Sequence, residues 1–251
     1  MEQGRKNVLA LAACQALLVM NNATMISIGT LAADRLAQNK LLVTLPATAY
    51  IIGGGLATLP ISFLMKRRGR RAGFTVGCLF GMLGGALAAT AMGLHSFWLL
   101  CFASLVSGVY TGSGGFYRFA AADGASADFR SKAISLVLAG GIVGGIFGPE
   151  GSKLTKDALE VAFLGTFLSL ILLAAIAVLI LRRLDIPMPS PEERHGASRR
   201  LPVIMRQPAF IVAALGAITA YGVMNLLMAA TPLAMQMCSH PYGAAMLAIE
   251  W

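Results

Sequence analysis

The 251-residue chain is 57% hydrophobic and only 12% charged, with a formal net charge of +9 and a mean hydropathy of +0.74. A soluble domain is about half apolar and about a quarter charged, so this composition leaves too little polar surface for a water-soluble enzyme. It also excludes disorder, collagen and coiled coil, because charge is sparse, the 28 Gly follow no fixed period and no heptads run.

At about 20 apolar residues per crossing, the chain has room for seven or eight spans and reads as an all-α polytopic membrane protein. Apolar runs bounded by charge or turn residues predict helix 1 over 8–33, helix 2 over 41–65 and helix 3 over 72–94. A turn at His95 and Ser96 leads to helix 4 over 97–117, a polar loop follows, and helix 5 covers 133–149. Helix 6 covers 161–181. The segment 182–208, with six Arg and several Pro, is too polar to insert and reads as a basic linker. Helix 7 then covers 209–233, and an eighth apolar segment starts near Ala244. The first apolar stretch follows Arg5 and Lys6 but is about twice the length of a signal-peptide core, so it reads as a retained helix.

Charge orients the chain. With the N-terminus inside, sixteen Lys and Arg fall in inner segments, and only Arg35, Lys40, Lys153 and Lys156 fall outside. That asymmetry predicts a cytoplasmic N-terminus, and the basic balance needs anionic lipid rather than a nucleic acid as its partner. Cys14, Cys78, Cys101 and Cys238 are too scattered for a disulfide framework. His95, His195 and His240 are isolated, so neither a metal site nor a cofactor is expected.

Two motifs stand out. The first, between helices 2 and 3, is Ser62-Phe63-Leu64-Met65-Lys66-Arg67-Arg68-Gly69-Arg70-Arg71. It resembles the signature loop of the major facilitator superfamily, GxLaDrxGrr, at Leu64, Arg67, Gly69, Arg70 and Arg71; Ser62 replaces its first Gly and Lys66 its Asp. The second, Gly140-Gly141-Ile142-Val143-Gly144-Gly145-Ile146-Phe147-Gly148-Pro149, packs small residues that let helices approach closely. Its GxxxGP spacing is similar to the antiporter motif of the same superfamily, with Gly144, Gly148 and Pro149 as packing and bending positions. Gly53-Gly54-Gly55 followed by Pro60 in helix 2 mirrors that run, and Phe129-Arg130-Ser131-Lys132-Ala133 before helix 5 is also similar to the family.

The resemblance implies a six-helix bundle of 3+3 inverted repeats (1–181), the linker (182–208), and helix 7 with the start of helix 8 from a second bundle (209–251). It further implies a secondary active transporter that moves a small organic solute across a bacterial inner membrane by alternating access. Arg67, Gly69, Arg70 and Arg71 would form part of its cytoplasmic gate. The expected partners are the small-molecule substrate, the lipid bilayer and the rest of the second bundle. The alternative is a truncated, non-transporting half-length protein or scaffold. No phosphate-binding loop or nucleophile elbow is present, so an enzyme is not expected.

Polar residues within the spans are the candidates for substrate contact. Gln15 and Asn22, seven apart, share a face of helix 1. Tyr50, Tyr110, and the pair Tyr221 and Asn225 complete the set, and the resemblance places helices 1, 4 and 7 around a central cavity. Interhelical hydrogen bonds are the competing role for each. These amides and phenols are neutral, which favours a neutral or amphipathic solute. Glu150, at the outer end of helix 5, is the candidate proton carrier, with a simple charge balance by Lys153 as the other reading.

Overall fold

The computed structural model describes residues 2–184, 186 and 201–250. Among the described residues, seven helices are long and apolar enough to cross a membrane: α1 (Gly4–Leu36), α2 (Lys40–Arg68), α3 (Arg70–Gly93), α4 (Phe97–Asp123), α5 (Arg130–Thr155), α6 (Leu164–Arg182) and α7 (Pro208–Met237). A shorter helix, α8 (Tyr242–Glu250), follows. All seven expected spans are present, and the multi-pass membrane character follows from them.

Several helices outrun their expected ends. α5 continues through Pro149 to Thr155, so Pro149 does not terminate it and Glu150 lies within the helix rather than at its end. α7, expected to end near Leu233 just past Pro232, continues to Met237. Proline removes one N–H and one ladder bond, and a span with many other backbone bonds tolerates this where neighbouring groups re-satisfy the backbone. α4 extends past Tyr117 to Asp123 after a turn at 115–116. α1 contains an unexpected π-helical turn, Thr24–Ile28, all five residues of which are buried. Most of the linker lies outside the described residues, as does His195; within it, Leu201–Met205 forms a short helix.

The turns obey local chemistry. Gly69 joins α2 to α3 in a single residue at φ 87°, a left-handed conformation that favours glycine, and its N–H donates to the Met65 carbonyl at 2.9 Å. Ser96 caps α4 by accepting from the Leu99 N–H at 3.4 Å.

The packing has two matching seams. A Cβ on Gly144 of α5 would stand 2.2 Å from the Ala16 carbonyl oxygen of α1, and one on Gly108 of α4 would stand 2.2 Å from the Tyr50 carbonyl oxygen of α2. Only glycine permits backbones this close. Exchanging α1 with α4, α2 with α5 and α3 with α6 carries the α2–α4 seam onto the α5–α1 seam, which is the geometry of an inverted repeat. A Cβ on Gly148 would stand 3.2 Å from the Met20 Cα of α1, a tighter-than-usual contact further along the same seam. α3 closes the bundle against α4 and α6, and the buried apolar residues form two clusters, one built around Tyr50, Met92 and Phe167 and the other around Leu11, Phe74 and Tyr117.

α7 and α8 touch the bundle at the end opposite the Lys66–Arg71 loop. Ser27 Oγ donates to the Met228 carbonyl at 3.2 Å, and Ser152 Oγ lies 2.9 Å from the Tyr242 hydroxyl. The most apolar window of α7 is otherwise wholly exposed, a surface suited to lipid or to further helices.

Candidate functional site

Three helices bring three polar side chains together midway along the bundle. Asn22 of α1, Tyr50 of α2 and Thr111 of α4 form a triad: the Tyr50 hydroxyl donates to Asn22 Oδ1, the Thr111 hydroxyl donates to the same oxygen at 2.7 Å, and the two hydroxyl oxygens lie 2.5 Å apart. The close α2–α4 seam at Gly108 makes this meeting possible, because it draws the Tyr50 backbone against α4 one turn from Thr111. Tyr50 is buried, whereas Asn22 and Thr111 are half-buried and reach open space.

A proton count defines what the triad offers. Two hydroxyls supply two protons for three oxygen–oxygen contacts, so with both given to Oδ1 the Tyr50–Thr111 contact sets lone pair against lone pair. Turning the Asn22 amide over satisfies every contact, and the two orientations have the same shape. In that orientation Nδ2 donates to both hydroxyl oxygens and one hydroxyl proton closes the Tyr50–Thr111 contact, which leaves Oδ1 and one hydroxyl proton unused within the triad. No Asp, Glu, Lys or Arg occurs in 8–33, 41–65 or 97–117, so the triad is a neutral hydrogen-bonding point in an apolar wall.

The other sequence candidates lie elsewhere. Tyr110 does not join the triad: it is fully buried inside the bundle, near Cys78 and Tyr117, and its ring is what a Cβ on Gly81 of α3 would strike. Adjacent Thr111, about 100° further round the helix, takes the place that Tyr110 was expected to hold. Gln15 sits beside Gly141, where α5 packs on α1. Asn225 Nδ2 donates to the Tyr221 carbonyl at 2.7 Å within one turn, and Tyr221 is exposed. Glu150 pairs with Lys153 one turn on, the charge balance weighed above. Asn21, next to Asn22, is fully buried, and neither polar end has a hydrogen-bond partner among the described residues.

At the basic end, Arg70 at the start of α3 forms an ion pair with Asp123 at the end of α4. Ser62, Met65, Lys66, Phe116 and Phe119 join them around a cavity of about 380 Å³. Asp123 had no assigned partner in the sequence; its pairing needs α4 to run six residues past Tyr117. Arg71 belongs to a neighbouring groove with Arg68 and Gly69. The loop therefore clamps α2, α3 and α4 at one end.

The sequence profile of the Major Facilitator Superfamily matches residues 9–249. The chain is 36% identical over 250 residues to the riboflavin transporter RfnT of Brucella anthropi, covering 98% of this chain and 63% of that protein. It is 26% identical over 240 residues to the uncharacterised MFS-type transporter YdeG of Bacillus subtilis, covering 89% of this chain and 56% of the relative. The chain thus spans about three fifths of the length of these relatives. The fold matches the partially occluded inward-open xylose transporter XylE of E. coli with a TM-score of 0.70 at 15% identity, over 99% of this chain and 67% of the transporter. A bacterial homologue of the human lysosomal transporter Spinster matches with a TM-score of 0.58 at 16% identity, over 97% of this chain and 56% of that one.

Proposed function

The chain belongs to the major facilitator superfamily, and from that premise we propose that it carries the first bundle and the start of the second bundle of a secondary transporter for a neutral, hydrogen-bonding organic solute. The single observation that supports the solute class is the Asn22–Tyr50–Thr111 triad, a charge-free hydrogen-bonded meeting of three helices at mid-bundle in which Asn22 and Thr111 are only half-buried. Riboflavin is the first substrate to test, because the relative of that name is 36% identical along nearly all of this chain. Its ring imide N–H and ribityl hydroxyls supply the donors and acceptors that such a point recognises, and it carries no charge. The bilayer is a bacterial inner membrane with the N-terminus cytoplasmic, a reading supported by the concentration of Lys and Arg at one end.

In this mechanism the two bundles rock about the central site. The triad ties α1, α2 and α4 into one rigid unit, so that solute bound at Asn22 is carried by a bundle that moves as a body. The Arg70–Asp123 pair joins α3 to α4 at the cytoplasmic end, and Arg67 and Arg71, which take no part in it, meet the opposing bundle as the gate closes. Uptake of radiolabelled riboflavin by cells producing the transporter, with unlabelled riboflavin and a neutral sugar as competitors, tests the reading. Saturable uptake displaced by riboflavin alone supports it. Uptake no greater than in cells lacking the protein, or displaced equally by the sugar, rejects riboflavin as the substrate.

A further inference from the structure

A second cavity, of about 180 Å³, lies at the end opposite the Lys66–Arg71 loop and has no part in the triad. Arg35 of α1, Lys156 and Phe163 of the α5–α6 connection, and Gln236, His240 and Tyr242 from the end of α7 and the start of α8 line it. Its charge is unusual for its position. Only four of the chain's twenty Lys and Arg fall at this end by the span order, yet two of them converge here. The Arg35 guanidinium carbon stands 5.0 Å from the Phe163 ring centroid and Lys156 Nζ stands 6.0 Å from it, so the two charges are no more than 11 Å apart.

Carboxylates nearby compensate this charge only in part. Lys40 pairs with Asp34 at 2.7 Å, Lys153 with Glu150, and Lys156 with Asp157 at 3.6 Å. Arg35 has no carboxylate partner among the described residues. The geometry is also held under strain. Phe163 adopts φ 67°, a left-handed conformation costly for a bulky residue, and its N–H donates to the Lys156 carbonyl at 2.8 Å. Lys156 Nζ sits 4.3 Å over the Tyr242 ring, whose hydroxyl meets Ser152 at 2.9 Å. Two cations from one bundle therefore face the neutral donors of Gln236 and His240 across a cavity with room for about six water molecules at ~30 Å³ each.

We propose that this cavity binds a phosphate group. Cations and donors approaching from several sides suit a tetrahedral oxyanion with several acceptor oxygens better than a flat carboxylate, which a single guanidinium fork satisfies. Arg35 and Lys156 neutralise the charge, Gln236 and His240 donate to the remaining oxygens, and Phe163 and Tyr242 form the walls. Because the cations belong to the first bundle and the neutral donors to the second, a bound phosphate ties the two together at this end. The phosphate comes either from a soluble phosphate compound or from the headgroup of an anionic lipid.

The test uses the full-length transporter purified in detergent and in nanodiscs, one set of phosphatidylcholine alone and one with phosphatidylglycerol added. Radiolabelled inorganic phosphate is titrated in detergent and in the phosphatidylcholine discs, and retained phosphatidylglycerol is counted by native mass spectrometry. Saturable phosphate binding that weakens at least tenfold in Arg35→Gln/Lys156→Gln, and less than twofold in the control Lys40→Gln, supports a soluble source. Phosphatidylglycerol retention lost in the double variant, without phosphate binding, supports the lipid source. Binding of neither by the wild type, or equal binding by wild type and double variant, overturns the proposal. Should the double variant fail to elute as a single species, Arg35→Gln alone, at an exposed side chain, decides by the same criterion. The readout is independent of riboflavin uptake, so either idea can fail without the other.

Discussion

Gly108→Ala is the substitution that most directly couples the helix seam to the triad. The added Cβ would stand 2.2 Å from the Tyr50 carbonyl oxygen and 2.8 Å from the Gly54 nitrogen, both backbone atoms that no rotamer change can move aside. Restoring even a 3.0 Å contact requires α2 and α4 to part by roughly 0.8 Å, at an overpacking cost of about 1–3 kcal/mol. Tyr50 and Thr111 sit on opposite sides of that gap, so the same displacement stretches the 2.5 Å Tyr50–Thr111 contact past the ~3.0 Å range of O–H···O bonds, and Asn22 on α1 cannot stay in bonding range of both partners. Losing one or two bonds at about 1 kcal/mol each lowers initial solute uptake roughly five- to thirtyfold. The assay compares uptake per unit of membrane-inserted protein, with the melting temperature in detergent as a second readout. Gly55→Ala, on α2 with nothing within 4 Å of its Cβ, is the control and leaves both unchanged or slightly raises stability. Wild-type uptake and melting in Gly108→Ala, or equal damage in Gly55→Ala, would refute the reasoning.

Other outcomes follow from the same geometry. Asn21→Leu removes a fully buried amide with neither end partnered and raises the melting temperature, corresponding to about 1–3 kcal/mol of relieved desolvation; a lowered melting temperature shows that the amide has a partner. Neutralising Arg71 lowers uptake without lowering membrane abundance, and unchanged transport removes it from the gate. A double-mutant cycle on Arg70 and Asp123, whose side chains are 24% and 57% exposed, yields only about 0.2–1 kcal/mol of coupling in stability; a value of several kcal/mol contradicts an open, solvated pair.

The spans were legible because each is a long apolar run, a signal that survives without knowing what packs against what. Their ends were harder to place. Pro149 reads as a stop signal in a soluble helix, whereas a membrane helix with most of its backbone bonds intact runs through it. The π-helical turn Thr24–Ile28 left no compositional mark. At the triad, Asn22 and Tyr50 stand out in the sequence because amides and phenols are rare within spans. Thr111 was missed because span hydroxyls are common and most, such as Thr58 and Thr75, only bond back to their own helix. Choosing Thr111 over Tyr110 needs the rotation of α4, which the glycine seam with α2 fixes and no single-helix periodicity reveals. Phe163 and Asp123 likewise gained partners only through tertiary placement.

The most direct test of the central claim is counterflow of radiolabelled riboflavin into proteoliposomes holding the full-length transporter, compared with Asn22→Leu and Thr111→Val. The account predicts saturable counterflow in the wild type and at least a tenfold loss in both variants at equal protein incorporation. Counterflow that persists undiminished in both variants, or its absence from the wild type for riboflavin and every other neutral solute tried, contradicts a neutral-solute transporter built on this triad.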